Sequence, residues 1–320
     1  VNKALIIQTA FLGDVILATP VVSELKRIYP DISIDFLVKK GNEELLANHP
    51  SINKTYTFNK STGKLRAILS LTKTFRSNRY DLVINLQRYG SSGLLTVLSG
   101  GKETRGFGKN PFSFLYHIKK THQIGDGTHE VERNLSLITD LGAQKLVRPS
   151  INPTAEHAKA IKHLTGESFI CLAPASVWFT KQLPVHKWVE LIEKQPTNQV
   201  IYLIGGPSDF NLCEDIKNQV GSSSVFNLAG QLSLLESAVL IQHASRAYVN
   251  DSGPLHLASA VNTPTTAFFC STTPDFGFGP LADEAVVVQY EKTLNCKPCG
   301  LHGHKSCPEG HFRCGNDIKI

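Results

Sequence analysis

No run of about 18 apolar residues occurs anywhere in the 320-residue chain, so no segment is expected to cross a membrane. The first residues, Val1-Asn2-Lys3-Ala4-Leu5-Ile6-Ile7, pass straight into a strand pattern, without the separate apolar segment and small-residue cleavage site of a secretory leader. Together these absences lead us to expect a soluble, cytoplasmic protein. The N-terminal half lacks G-x-G-x-x-G, which argues against a dinucleotide cofactor there. No recognisable nucleic-acid-binding module is present, so nucleic acid is not an expected partner. Methionine is absent altogether, where a chain of this length would normally carry several.

What is present is enough apolar residue, 41%, to build two cores. Ala4 to Gln8 is a nearly continuous apolar run, as in a parallel strand covered on both faces. A loop, Thr9 to Asp14, follows, and helical spacing (Val21, Leu25, Ile28) predicts one helix from Val15 to Ile28. Strand and helix patterns then alternate to Gly142. The stretch Gly108 to Gly127 is the exception, basic and poorly patterned, and reads as a mobile loop on the acceptor side. A second alternating series starts at Phe169. The alternation implies right-handed βαβ units and an α/β fold of two Rossmann-like domains.

Charge is uneven. Between Lys60 and Lys120 twelve basic residues face two acidic ones, a local balance of +10 in a chain of net +6, so the rest is acidic. Such a surface suits a phosphorylated glycan or an anionic membrane face.

The stretch around which the chain is organised is Tyr248 to Pro280. An apolar strand gives way to Asn250-Asp251-Ser252-Gly253-Pro254 and then to an amphipathic helix start. Ser252 and Gly253 suit a phosphate cradle at a helix N-terminus, although the same residues also make an ordinary turn before a proline-started helix. A second strand, ending in Ser271-Thr272-Thr273-Pro274, follows at once.

The block D-S-G-P-L-H-L-A-S-A at Asp251 to Ala260, with S-T-T-P and Gly279-Pro280 beyond it, resembles glycosyltransferase family 9, the lipopolysaccharide heptosyltransferases. Gly13-Asp14, between L-I-I-Q-T and V-I-L-A-T-P, is similar to that family's N-terminal signature. The resemblance implies a GT-B fold, two Rossmann-like domains facing each other across a cleft. It also implies inverting, metal-independent transfer of heptose from ADP-heptose to the lipopolysaccharide inner core. By chain position we expect an acceptor-side domain at 1–155, a nucleotide-sugar domain at 156–295 and a Cys-rich tail at 296–320. Another nucleotide sugar or acceptor, a sugar-nucleotide epimerase, and a non-catalytic nucleotide-sugar-binding protein are the competing readings.

Asp14 carries the expected chemistry. In the family the matching aspartate is the general base, whereas the residue type at a helix start equally suits an N-cap. A helix N-terminus would favour its ionised form and weaken it as a base, so burial or a lipid-sugar acceptor would have to raise its pKa. Lys181, in S-V-W-F-T-K-Q-L-P, resembles the lysine that contacts the donor diphosphate, with Ser176 and Thr180 as hydroxyl donors. Asp251, Ser252, Gly253, Pro254 and His256 complete the donor site that the resemblance implies. Glu236 stands one position from the acidic residue that some members use for the ribose. On the acceptor side we expect Gly13, Arg88, and His129 with Arg133, four apart on one helix face. A phosphorylated, lipid-linked glycan is the expected acceptor, with peripheral contact at the inner face of the inner membrane.

Cys296, Cys299, Cys307 and Cys314, interleaved with His302, His304 and His311, have spacing that suits a structural zinc. A similar tail occurs in the family, whose catalysis needs no metal there, so reduced thiols fit as well, and disulfides least in a cytosolic compartment. Cys171, Cys213 and Cys270 fall in apolar segments and read as core.

Overall fold

A computed structural model describes residues 1–59, 61 and 63–320; Lys60, at the edge of the basic stretch, and Thr62 lie outside the described residues. The chain divides into two compact units, Val1–Ile124 with Thr128–Asn152, and Gly125–Gly127 with Pro153–Ile320.

The first unit is built on a sheet of β1 (Lys3–Gln8), β2 (Ser33–Lys39), β3 (Ile52–Phe58), β4 (Leu82–Asn85), β5 (Glu103–Phe107) and β6 (Ile118–Lys120). All neighbours pair in parallel, in the order β3-β2-β1-β4-β5-β6. Ala4, Leu5, Ile6 and Ile7 of central β1 are fully buried, which is why that strand reads as an unbroken apolar run. On one face Leu5, Ile7, Leu37 and Val83 pack against Ile68 and Phe75 of the helix Lys64–Asn78 and against Leu95 of Gly90–Leu98.

The second unit repeats the plan with β7 (Phe169–Ala173), β8 (Val200–Leu203), β9 (Val225–Asn227), β10 (Arg246–Asn250), β11 (Thr265–Phe269) and β12 (Ala285–Gln289). Its order, β12-β11-β10-β7-β8-β9, is the same winding as the first. In both sheets the order reverses beside the first strand of the unit, between β1 and β4 and between β7 and β10. Ligands of open α/β sheets sit beyond the carboxyl ends of the strands at such switch points. The core here centres on Trp188, fully buried and edge-on to Phe268 at 5.3 Å. Phe312, Cys314 and Ile318 of the C-terminal tail belong to that same core, so the tail is part of the unit. Cys171, Cys213 and Cys270 are buried, as their apolar settings imply.

Two expectations from pattern alone need correction. The helix expected from Val15 to Ile28 is two helices, Leu12–Ile16 and Thr19–Ile28. Pro20 has no N–H to offer the Ile16 carbonyl, and the Thr19 hydroxyl donates to it instead at 2.8 Å. The stretch expected to be a mobile loop, Gly108 to Gly127, holds a short 3-10 turn (Ser113–Leu115) and β6, with Asn110, Ser113 and His122 buried. An edge strand of lysines lacks the apolar signature of an inner one.

Candidate active site

Asp14 lies in the turn of helix that follows β1, at the switch point of the first sheet. Its Oδ2 accepts the Phe11 backbone N–H at 3.2 Å, satisfying a free donor at the helix start. The rise in pKa that a base at a helix end would need is supplied by burial. Burial of the carboxyl, and then the nearby charge of Glu130, outweigh the backbone N–H bonds and the Arg88 charge and push its pKa up to about 6.

Arg88 follows β4, on the other side of the switch point, and is half-buried. Among the described residues no hydrogen bond or ion pair engages its guanidinium. The loop that carries it is pinned on both sides: Asn110 Nδ2 donates to the carbonyls of Gln87 at 3.0 Å and Tyr89 at 3.1 Å. Gly93 makes room for this clamp, since a Cβ there would fall 2.0 Å from Asn110 Oδ1. Below it, Gln87 Nε2 donates to Gln8 Oε1 at the end of β1, tying the two strand ends together.

In the second unit the equivalent strand ends bring Lys181 and Asp251 together. The loop after β7 ends in a 3-10 turn, Phe179–Lys181, and Lys181 Nζ lies 2.6 Å from Asp251 Oδ2, just past β10. Thr272, just past β11, donates its hydroxyl to the same oxygen at 2.6 Å. Three successive strand ends thus hold one cation in place. Beside it the helix Gly253–Val261 begins, with Ser252 as an extended N-cap and Pro254 in its first turn. The Ser252 side chain makes no cap bond, so the first N–H groups of this helix are not met by it. His256 is buried one turn in, its ring 6.4 Å from that of Phe278. Ser176 is half-buried in the same loop as Lys181, its carbonyl accepting from Gln182 Nε2 at 2.6 Å.

Other expected residues sit differently. His129 and Arg133 do not share a helix face: His129 is the N-cap of Glu130–Ser136, and its Nδ1 accepts the Val131 N–H at 3.1 Å. Arg133 is 4% exposed and donates to Glu130 Oε2 at 2.7 Å, Thr128 O at 2.5 Å and Gln123 O at 3.0 Å. Thr180 is turned inward, its Oγ1 accepting from Ser271 Oγ at 3.0 Å and the His304 N–H at 2.8 Å, so this hydroxyl is not presented to a phosphate. Glu236 closes a capping box with Ser233 through Oε2, at 2.8 Å to the Ser233 N–H.

The tail cysteines do not form a ready metal centre. Among the described residues no three His, Cys, Asp or Glu side chains are grouped to hold an ion, and Cys296 Sγ stands 4.0 Å from His311 Nε2. All seven cysteines are free thiols. Burial raises the Cys299 thiol, with Cys296 and Cys307 adding to it, and pushes the Cys314 thiol up to about 11.

Sequence reasoning passed over Glu130. It is buried with His122, whose Nε2 lies 3.1 and 3.2 Å from its two oxygens, and with Arg133. Burial alone would raise its pKa, but those partners outweigh it and hold it below the usual range. Asn110 and Thr272 were also missed. Asn110 and Thr272 act through partners more than twenty residues away in the chain, which spacing does not reveal; Glu130 stands three residues from Arg133, a helical spacing that could have found it.

The sequence profile of glycosyltransferase family 9 (heptosyltransferase) matches residues 68–311. Lipopolysaccharide heptosyltransferase 3 of Escherichia coli K12 is 33% identical over 283 residues, spanning 81% of this chain and 80% of the relative. Lipopolysaccharide heptosyltransferase 2 of the same strain is 25% identical over 307 residues, 90% of this chain and 88% of the relative. Among solved structures, the E. coli ADP-heptose lipopolysaccharide heptosyltransferase II shares the fold at a TM-score of 0.76 and 22% identity, covering 93% of this chain and 95% of its own. An E. coli heptosyltransferase solved with ADP does so at 0.73 and 22%, covering 89% and 92%. The paired Rossmann-like units are accordingly of the GT-B class. A profile running from the helix Lys64–Asn78 into the C-terminal tail, with a relative one-third identical along most of the sequence, establishes that the chain belongs to glycosyltransferase family 9, the heptosyltransferases.

Proposed function

We propose that this glycosyltransferase moves heptose, with inversion and without a metal, from ADP-heptose to the inner core of lipopolysaccharide, a phosphorylated, lipid-linked glycan. The observation that carries the assignment of the base is the Asp14 carboxyl, pushed up to about 6 at the end of β1. A carboxylate with that proton affinity is ionised at neutral pH yet takes a proton from a sugar hydroxyl better than an ordinary one.

As that proton passes to Asp14, the acceptor oxygen bonds to the anomeric carbon. The bond from that carbon to the β-phosphate oxygen breaks, and both of its electrons leave with ADP. Lys181, held by Asp251, and the N–H groups at Ser252-Gly253-Pro254 take up the charge that develops on the leaving group. A fixed cation and oriented N–H donors are the electrophilic assistance that a metal would otherwise supply. Ser176 adds a hydroxyl to the phosphates, His256 backs the helix start, and Glu236 offers its remaining carboxylate oxygen to the ribose. Gly13, next to Asp14, belongs to the acceptor side, and Arg88, with His129 at the start of the helix Glu130–Ser136, meets the acceptor's phosphate. Arg133 serves that side by holding Glu130 and the loop carbonyls of Gln123 and Thr128. The tail cysteines serve as reduced thiols; a stoichiometric zinc in elemental analysis of the purified protein would overturn that reading. The names of the relatives and the ADP-bound neighbour support the donor and acceptor classes.

Peripheral contact with the cytoplasmic face of the inner membrane is supported by the helix Lys64–Asn78. No helix among the described residues is long and apolar enough to cross a membrane. This one instead exposes Leu65 and Leu69, 74% and 68% accessible and one turn apart, amid Lys64, Arg66 and Lys73 with no acidic residue. Apolar side chains ringed by cations suit an anionic lipid surface.

The test is to supply ADP-heptose with and without a heptose-accepting glycolipid. ADP release that requires both, with an inverted anomeric centre in the product, is the expected result. Donor isomerisation without any acceptor would favour an epimerase, and donor binding without turnover a binding protein.

A further inference from the structure

We infer that the Cys-rich tail is a clasp that positions the donor-diphosphate site, with Gly303 and His304 as its positioning residues. This rests on the reading of Lys181 as the diphosphate cation and extends it to a segment that supplies no group to the reaction.

The tail reaches both loops that hold Asp251. The His304 N–H donates to Thr180 Oγ1 at 2.8 Å, and the Thr180 N–H donates back to the His304 carbonyl at 3.1 Å. Thr180 in turn holds Ser271, whose N–H donates to the Thr180 carbonyl at 3.2 Å and whose Oγ donates to Thr180 Oγ1 at 3.0 Å. The Cys299 N–H closes the circuit on the Ser271 carbonyl at 2.8 Å. Thr180 and Ser271 are the chain neighbours of Lys181 and Thr272, the two side chains that grip Asp251 Oδ2. The tail therefore sets the backbone one residue away from each grip.

Gly303 allows this approach. Its φ is +77°, and a Cβ added there would lie 2.9 Å from Thr180 Oγ1, 3.1 Å from Lys181 Cγ and 3.3 Å from Ser271 Oγ. All three lie in the two gripping loops, and Thr180 is too short and too firmly bonded to swing aside. The tail is anchored independently of this contact, because Phe312, Cys314 and Ile318 lie in the core of the second unit. The clasp can thus be loosened at Gly303 or Thr180 while the fold persists.

The experiment measures ADP binding by calorimetry and amide hydrogen exchange across 176–182 and 269–273 in the full chain. Gly303→Ala should raise the Kd for ADP at least tenfold and speed exchange at Thr180 and Ser271, with the acceptor KM unchanged. Thr180→Ala, which adds no bulk, should do the same, and Thr180→Ser, which keeps the oxygen, should restore both; this pair decides the matter if Gly303→Ala fails to fold. Faster exchange with an unaltered Kd, in a background where Lys181→Ala weakens ADP, would overturn the positioning role alone. An unaltered Kd in Lys181→Ala itself would remove the diphosphate reading, and the clasp's role with it.

Discussion

If Asp14 is the base, transfer must follow its ionisation, and the structure puts that ionisation at about 6 instead of 3.8. At pH 7 about nine-tenths of the carboxyl is then ionised and at pH 5 about one-tenth, whereas an ordinary aspartate would remain more than about nine-tenths ionised at pH 5. We therefore expect kcat/KM, followed by ADP release in a buffer series of constant ionic strength, to rise about tenfold between pH 5 and 7. Two variants fix the cause. Glu130 raises the Asp14 pKa and Arg88 lowers it. Glu130→Gln should accordingly move the acidic limb to lower pH, and Arg88→Gln should move it to higher pH. Glu130→Gln also leaves Arg133 without its buried carboxylate, a loss on the order of 3–5 kcal/mol, so its fold is checked by melting; the Arg88 arm is free of that cost. A profile flat down to pH 4.5, or a limb that moves the same way in both variants, would refute the reasoning.

Other consequences follow from the same geometry. Because the folded pKa of Asp14 lies above its unfolded value, its ionised form opposes folding. Removing the charge with Asp14→Asn should stabilise the protein above pH 6 by at most about 3 kcal/mol, less where water reaches the half-buried carboxyl, and the gain should vanish below about pH 4. Denaturant unfolding at pH 7.5 and 4 measures this. Lys181→Ala should weaken ADP binding about 10- to 100-fold, the worth of one or two charge-assisted bonds, as read by calorimetry. Asn110→Ala removes both ties on the loop of Arg88 and should cost about 1–3 kcal/mol of stability, with a larger rise in acceptor KM than in donor KM.

The inner strands of both sheets were legible because a doubly covered parallel strand has no polar face to interrupt it, as Leu5 to Ile7 and Phe169 to Ala173 show, whereas the more exposed edge strands Ile52–Phe58, Ile118–Lys120 and Ala285–Gln289 were not. The positions of Asp14, Lys181 and Asp251 followed from those strand ends. Where the reading failed, the missing information was non-local or stereochemical. The apolar period runs unbroken through Leu17 and Ala18, and only the absent N–H of Pro20 parts the two helices. His129 and Arg133 have the i, i+4 spacing of a surface pair, yet the first is outside the helix and the second is drawn inward by Glu130. The cysteines attracted a metal reading through their spacing, while the features that place the tail, Gly303 against Thr180 and Ile318 in the core, depend on contacts more than a hundred residues apart.

The most direct test of the account is single-turnover heptosyl transfer by Asp14→Asn, with ADP affinity measured on the same preparation. The account requires a fall of about 100- to 10,000-fold in the transfer rate, the usual worth of a general base, with ADP bound as by the unaltered enzyme. Transfer within about tenfold of the original rate would mean that some other group receives the proton, and the assignment of Asp14 would fall.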